Sequence, residues 1–145
     1  MEGKVYAVGG YSMVGYLRSV VCYDPSTDVW SPMADMNTAR SIFGVAVLDD
    51  KLYAVGGFSG MTILSSVECF DPSTGQWSAV ADMSTARRDH GVAVVDDKLY
   101  AVGGVDDADT GLSSVECFDP STGQWSAVAP MTTARRAHGV AVVNF

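Results

Sequence analysis

Tyr53-Ala54-Val55-Gly56-Gly57 decides the fold, because the same five residues stand three times in the chain, as Tyr6 to Gly10, Tyr53 to Gly57 and Tyr100 to Gly104. The step from Tyr6 to Tyr53 is 47 residues, and so is the step from Tyr53 to Tyr100. A second marker keeps pace: Tyr23-Asp24-Pro25-Ser26-Thr27 closing on Trp30, then Phe70-Asp71-Pro72-Ser73-Thr74 on Trp77, then Phe118-Asp119-Pro120-Ser121-Thr122 on Trp125. A third is Thr-Ala-Arg ahead of Gly-Val-Ala-Val, at Arg40, Arg87 and Arg135. A fixed period of this length means repeated supersecondary units, none of which can bury its own flanks alone.

Within each unit, β-branched and aromatic residues alternate with smaller or polar ones between turn signals, and no helical period occurs. The expected class is all-β, with four short strands per unit. The first strand is expected at Gly44 to Leu48 with copies starting at Gly91 and Gly139, the second at Leu52 to Gly56, the third near Val67 to Phe70 and the fourth from Trp77. Asp71-Pro72-Ser73-Thr74-Gly75 is a chain reversal, since proline presets φ and glycine accepts a positive φ. Asp28 takes that glycine's place in the first copy and tolerates the left-handed region better than most residues. Asp49-Asp50 and Asp96-Asp97 read as short polar hairpin connections.

A length of 145 residues suggests one domain, 1–145, with repeat windows near 4–48, 51–95 and 98–143. No apolar run approaches the roughly 20 residues needed to span a bilayer, and Met1-Glu2-Gly3-Lys4 lacks the basic start and apolar stretch of a secretory leader. The expectation is a cytoplasmic protein with no membrane partner. The formal net charge of −8 would be repelled by a nucleic-acid backbone, so basic or mixed-charge protein partners fit better. Cys22, Cys69 and Cys117 fall at equivalent places on separate units, which points to buried structural thiols rather than a disulfide framework.

The three markers together resemble the kelch-repeat β-propeller family, in which an arginine precedes strand one, a double glycine ends strand two and a tyrosine is spaced before a tryptophan. The resemblance covers essentially the whole chain and is similar to the kelch domain of BTB-kelch substrate adaptors. It implies that each unit of roughly 50 residues is one four-stranded blade. Phe70 and Phe118 depart from the family's tyrosine, so the ring is read as packing. Trp30, Trp77 and Trp125, with Met36, Met83 and Met131, are expected to pack between neighbouring blades.

Propellers close with about four to eight blades, and kelch rings commonly resemble six. Three blades would leave two apolar flanks, and a symmetric homodimer is the simplest closure. The chain opens at a second strand and runs out in a first strand. Val140, Ala141, Val142 and Val143 of one protomer are therefore expected to pair beside Val5, Tyr6, Ala7 and Val8 of the other, satisfying edges that invite aggregation. The competing expectations are a piece of a longer kelch protein or an engineered repeat. Recent duplication or engineering would each account for the near identity of the second and third copies.

Differences among the copies cluster at one end of the units. The connection from strand two to strand three carries Tyr11, Tyr16 and Arg18 in the first copy, Phe58 and Met61 in the second, and Asp106 and Asp107 in the third. The segment before strand one carries Ser41, then Arg88 with Asp89, then Arg136. In an antiparallel four-stranded blade these connections emerge together, forming one rim of loops on a rigid scaffold. The resemblance implies a peptide- or protein-binding rim, with Arg88 and Arg136 as carboxylate clamps and Tyr11, Tyr16 and Phe58 as aromatic contacts.

No catalytic residues, metal or cofactor are expected. His90 and His138 are repeat-equivalent with Phe43 in the first copy, which favours a structural role over a metal site. Arg40, Arg87 and Arg135 read as blade-linking hydrogen-bond donors. Asp107-Ala108-Asp109-Thr110-Gly111 lacks the glutamate of a calcium loop, because Phe118 stands there. The Gly-Gly pairs do not open helices, so they do not cradle phosphate. The alternatives to a binding scaffold are a structural half-propeller without a ligand and a kelch-fold enzyme. The chain lacks the clustered histidines and tyrosines of the copper oxidases that share the fold.

Overall fold

The computed structural model describes residues 3–144; Met1 and Glu2, which entered the reading for a leader, lie outside them. Among the described residues eleven strands form three antiparallel meanders. The first sheet is three-stranded, β1 (Val5–Ser12), β2 (Gly15–Asp24) and β3 (Val29–Met33). The second runs β4 (Gly44–Leu48), β5 (Lys51–Val55), β6 (Val67–Asp71) and β7 (Gln76–Val80). The third repeats it as β8 (Gly91–Val95), β9 (Lys98–Val102), β10 (Val115–Asp119) and β11 (Gln124–Val128). The repeat windows and the sheets are offset by one strand, since β4 and β8, which end the first and second windows, are the first strands of the second and third sheets.

Turn chemistry acts as its residues require. Asp71 Oδ1 accepts from the Ser73 amide at 2.8 Å and its hydroxyl at 2.6 Å, and the Gly75 amide closes back on the Asp71 carbonyl at 2.8 Å. These donors stabilise the ionised carboxylate and hold Asp71 below the usual carboxylate range. Gly75 sits at φ +70°, and Asp28 takes the same region at +58° in the first copy, where the Tyr23 hydroxyl donates to it at 2.8 Å. Asp49 and Asp50 both have positive φ, 51° and 57°, as a two-residue hairpin loop twisted to match its strands requires.

One expectation needs correction. Tyr11, Tyr16 and Arg18 do not lie on an open loop: β1 and β2 stay paired to Tyr11↔Tyr16 and Ser12↔Gly15, so the first connection is a long hairpin tipped by Met13 and Val14. The ladder continues past a bulge between Val8 and Gly10. Val140 to Val143 do not form a strand within the described chain. Val140 abuts Gly91, as Val92 of β8 abuts Gly44, but its backbone has no neighbouring strand to pair with, and a strand needs that ladder.

The core lies between sheets, not within one. Period-two alternation sends Leu52 and Ala54 of β5 toward the first sheet, where they pack with Val20, Met36, Phe70 and Trp77. Tyr53 and Val55, on the other face, meet Leu99, Ala101 and Phe118 of the third sheet. Each interior tryptophan also donates to the preceding connector, Trp77 Nε1 to the Ala34 carbonyl and Trp125 Nε1 to that of Ala81, both at 2.9 Å. Trp77 is 8% exposed whereas its copy Trp30, on the outer flank, is 52% exposed. Trp77→Phe is therefore expected to cost about 1–2 kcal/mol through the lost hydrogen bond and packing, and Trp30→Phe under about 0.5 kcal/mol, as urea midpoints would show.

Candidate functional site

Short backbone bridges tie together the variable segments of the second and third blades. Ser41 and Phe58 exchange amide-to-carbonyl bonds at 2.9 Å each, and Arg88 and Val105 do the same at 3.1 and 2.9 Å. The segments before strand one are also linked from blade to blade, since the Asp89 amide donates to the Ile42 carbonyl at 3.0 Å and the Ala137 amide to that of Asp89 at 2.8 Å. Ile42, Asp89 and Ala137 reach these bonds at positive φ, 46°, 54° and 52°. For a β-branched residue such as Ile42 that conformation is strained, and it is held by the Ser41–Phe58 bridge beside it and by the Asp89 amide on its carbonyl.

On the first and second blades the rim is aromatic and apolar. The Tyr16 ring meets Tyr11 at 4.9 Å between centroids and Phe58 edge-on at 5.4 Å. Gly60 makes this possible, because a Cβ there would stand 2.5 Å from the Tyr16 ring. Around this stack Met13, Val14, Met61 and Tyr11 are exposed. Sequence reasoning missed Met13 and Val14, although the absence of any polar residue at a hairpin tip was a signal for them.

On the second and third blades the rim is charged. Arg88 donates to Asp89 Oδ2 and to Asp109 Oδ1, each at 2.9 Å, and Arg136 stands 3.7 Å from the same Asp109 oxygen. The two arginines expected as clamps thus converge, but on a carboxylate of their own chain that the sequence reading left out. Asp106 is a turn former: its Oδ1 accepts from the Ala108 and Thr110 amides at 2.9 and 3.0 Å. Asp107 lies on the exposed tip beside it. Arg18 pairs with Asp35 at 3.5 Å on the outer surface and is not brought to the Arg88 cluster.

Below the rim, His90 is 8% exposed and neither ring nitrogen has a hydrogen-bond partner. Burial, and next the Arg87 charge, push its pKa down to about 4, opposed by a Val55 backbone approach that falls short of hydrogen-bond geometry. Among the described residues no three His, Cys, Asp or Glu side chains gather as metal ligands. Cys22, Cys69 and Cys117 are buried free thiols, and burial pushes that of Cys69 up.

The connectors that carry Arg40 and Arg87 hold the scaffold under this rim. The Arg40 backbone bonds the first blade, its amide to the Leu17 carbonyl at 3.1 Å and its carbonyl to the Gly10 amide at 2.7 Å. Its fully buried guanidinium bonds the second blade, reaching the Gly56 carbonyl, the Ser66 carbonyl and hydroxyl, and Glu68 at 2.8–3.2 Å. Arg87 repeats the arrangement with Gly103, Ser114 and Glu116. The linking role expected of these arginines is present in the structure; their glutamate partners were not foreseen.

Known proteins resemble this chain in sequence and in fold. The family model described as the KLHDC2/KLHL20/DRC7 Kelch-repeats domain matches residues 1–145. The Influenza virus NS1A-binding protein homolog of Mus musculus is 54% identical over 48 residues, 33% of this chain and 8% of that protein. The Influenza virus NS1A-binding protein of Homo sapiens is 52% identical over 48 residues, 33% of this chain and again 8% of that protein. Kelch-like protein 5 of Homo sapiens is 48% identical over 48 residues, 33% of this chain and 6% of that protein. The matched stretch thus spans under a tenth of these curated relatives. Among solved structures, that of YjhT superposes with a TM-score of 0.78 at 19% identity, covering 91% of this chain and 49% of the other. That likeness shows a propeller-type arrangement of the sheets.

Proposed function

The chain belongs to the KLHDC2/KLHL20/DRC7 Kelch-repeats domain family, and from that premise we propose that it is a non-enzymatic scaffold binding a peptide or protein at its variable rim. The observation that carries this reading is the division of the rim. An exposed aromatic and methionine patch around Tyr16 stands beside the Arg88–Asp109–Arg136 cluster. Large apolar anchors next to a charged group are the usual hot-spot chemistry of protein interfaces, and exposed apolar patches rimmed by polar groups mark interaction sites. A ligand carboxylate would replace Asp109 on the two arginines, so a segment combining an apolar anchor with an acidic residue fits best. Among the described residues no helix is long and apolar enough to cross a membrane, and nothing here favours nucleic acid.

A phage-displayed peptide library panned on the protein tests this. Selected peptides are expected to carry an aromatic or aliphatic residue near an acidic one. Their binding should fall at least about tenfold in Tyr16→Ala or Arg88→Ala, each removing an anchor, and should be unchanged in Ser121→Ala on the opposite rim. Failure to select any saturable binder, or binders insensitive to both rim changes, would overturn the reading.

We propose further that a second copy closes the ring into a six-bladed homodimer. Val45 and Val47 of β4 are 46% and 51% exposed, whereas their copies Val92 and Val94 pack into the core between the second and third blades. Gly44 abuts Val92 and Gly91 abuts Val140, but a Cβ on Gly139 would meet nothing within 4 Å. Laying Val140–Val143 of a partner along β1, in the register of β8 on β9, sets Val140 beside Ala7 and Val142 beside Val5. It also brings the open Gly139 against Val45. A molar mass in solution of twice the chain is the expected outcome, and a monodisperse single chain at micromolar concentration would contradict it.

A further inference from the structure

The open flank of the third blade presents half of a junction whose other half is visible twice in the same molecule. Connector backbone bonds to the third blade are all made: the Met131 amide to the Ser113 carbonyl at 2.8 Å, the Arg135 amide to the Leu112 carbonyl at 3.1 Å, and the Gly104 amide to the Arg135 carbonyl at 2.7 Å. Arg135 nevertheless has an exposed side chain, where Arg40 and Arg87 are fully buried. Arg40 and Arg87 each sink into a cradle on the following blade, made of a glycine carbonyl, a serine and a glutamate. The glutamate also accepts from connector amides: Asn37 and Thr38 for Glu68 at 2.6 and 3.1 Å, and Ser84 and Thr85 for Glu116 at 2.7 and 3.3 Å. One carboxylate therefore neutralises one buried guanidinium and satisfies two backbone donors.

The first blade has the same frame with one change. Glu68 stands opposite Ala54 and Glu116 opposite Ala101, and the residue opposite Ala7 is Val21. Gly9 and Ser19 keep the rest of the cradle. If a second copy closes the ring, Arg135 enters a cradle without its anion, and the Thr132 and Thr133 amides lose their acceptor. A buried charge without its partner, and donors without acceptors, weaken an interface well beyond the contact itself.

We propose that the open flank of the third blade is a recognition site for a kelch blade bearing a glutamate at the Glu68 and Glu116 position, with Arg135 as its anchor. The chain's own first blade, with Val21 there, is an incomplete occupant, so residue 21 sets how tightly two copies close. This rests on the ring-closure reading above and adds the chemistry that selects the occupant. The apolar parts of the flank are non-directional, whereas the guanidinium fork demands a planar anion at one place. The junction therefore discriminates between blades mainly at this point.

Sedimentation equilibrium on the unaltered protein, Val21→Glu, Val21→Gln, Arg135→Ala and the Val21→Glu/Arg135→Ala double variant tests the proposal, with circular dichroism to follow the fold. Val21 is 37% exposed, so a polar side chain there is compatible with the folded protomer. Val21→Glu is expected to tighten self-association at least about tenfold, since each closing junction gains a charge-assisted set of hydrogen bonds. Val21→Gln should gain less. Arg135→Ala should erase the gain in the double variant and should not weaken self-association of the unaltered protein, where it removes an unpaired charge, the coupling that a double-mutant cycle isolates. A Val21→Glu protein that associates no more tightly than the original, or a gain that survives Arg135→Ala, overturns the proposal while leaving ring closure by two copies intact. Absence of association in every variant overturns both readings together.

Discussion

Replacing Glu116 with alanine is expected to remove about 3–5 kcal/mol of stability, because it leaves the Arg87 guanidinium buried without its counter-charge. Glu116 is 3% exposed and Arg87 fully buried, with Glu116 Oε2 taking Arg87 Nε and Nη2 at 3.2 and 3.0 Å. The same carboxylate accepts from the Ser84 amide and hydroxyl, both at 2.7 Å, so its loss also leaves a backbone donor unpaired. Small proteins are stable by only about 5–15 kcal/mol, so the variant should unfold at a much lower urea midpoint or fail to accumulate. Arg135→Ala is the internal control: the same residue type at the same repeat position, but exposed, with an expected change within about 0.5 kcal/mol. Equal losses from the two substitutions would mean that the cradle is not what stabilises the inter-blade junction.

Acidification should weaken the protein by roughly 3 kcal/mol between neutral pH and pH 4 through His90 alone, the equivalent of a pKa lowered from its ordinary value of about 6.5 to about 4. Because the folded pKa is the lower one, the unfolded chain binds the extra proton. Stability is therefore complete above the unfolded value and falls as pH descends toward the folded one. Burial first, then Arg87 and His138, oppose the charging of His90, and the Val55 backbone is the one group that favours it. His90→Phe, the residue that the first copy carries as Phe43, should flatten urea midpoints across that window. Asp24, Asp71 and Asp119, whose carboxyls are held down by Ser26, Ser73 and Ser121, lose their contribution only below the ordinary carboxylate range. A slope between pH 6.5 and 4 that persists in His90→Phe would assign the effect elsewhere.

The strands and turns were legible because their causes are local. Asp71 and Gly75 close a turn within five residues, and the alternation Leu52-Tyr53-Ala54-Val55 sorts its own side chains to opposite flanks. Linking roles for Arg40 and Arg87 were also legible, since an arginine repeated ahead of a strand of small apolar residues has few other uses. Their anions were harder to see: Glu68 lies 28 residues from Arg40 and Glu116 lies 29 from Arg87. Nothing in a linear reading says which carboxylate comes back to meet them, although Glu, Glu and Val at one repeat position was the available signal. In the sequence Arg88 and Arg136 look like free clamps, because Asp109, 21 residues beyond Arg88, looks only like part of a loop. Tyr11 and Tyr16 look like loop residues because pairing through a bulge leaves no mark in composition.

The amino-acid order by itself determined that the chain is all-β, that it repeats three times, and where each reversal falls, because period-two alternation and turn chemistry act over neighbours a few positions apart. Only the tertiary structure decided which of three equivalent tryptophans is covered, which of three equivalent arginines is paired, and what the rim arginines already hold. Those properties depend on the blade standing next to each residue, and desolvation and charge pairing exist only once distant segments have excluded water between them.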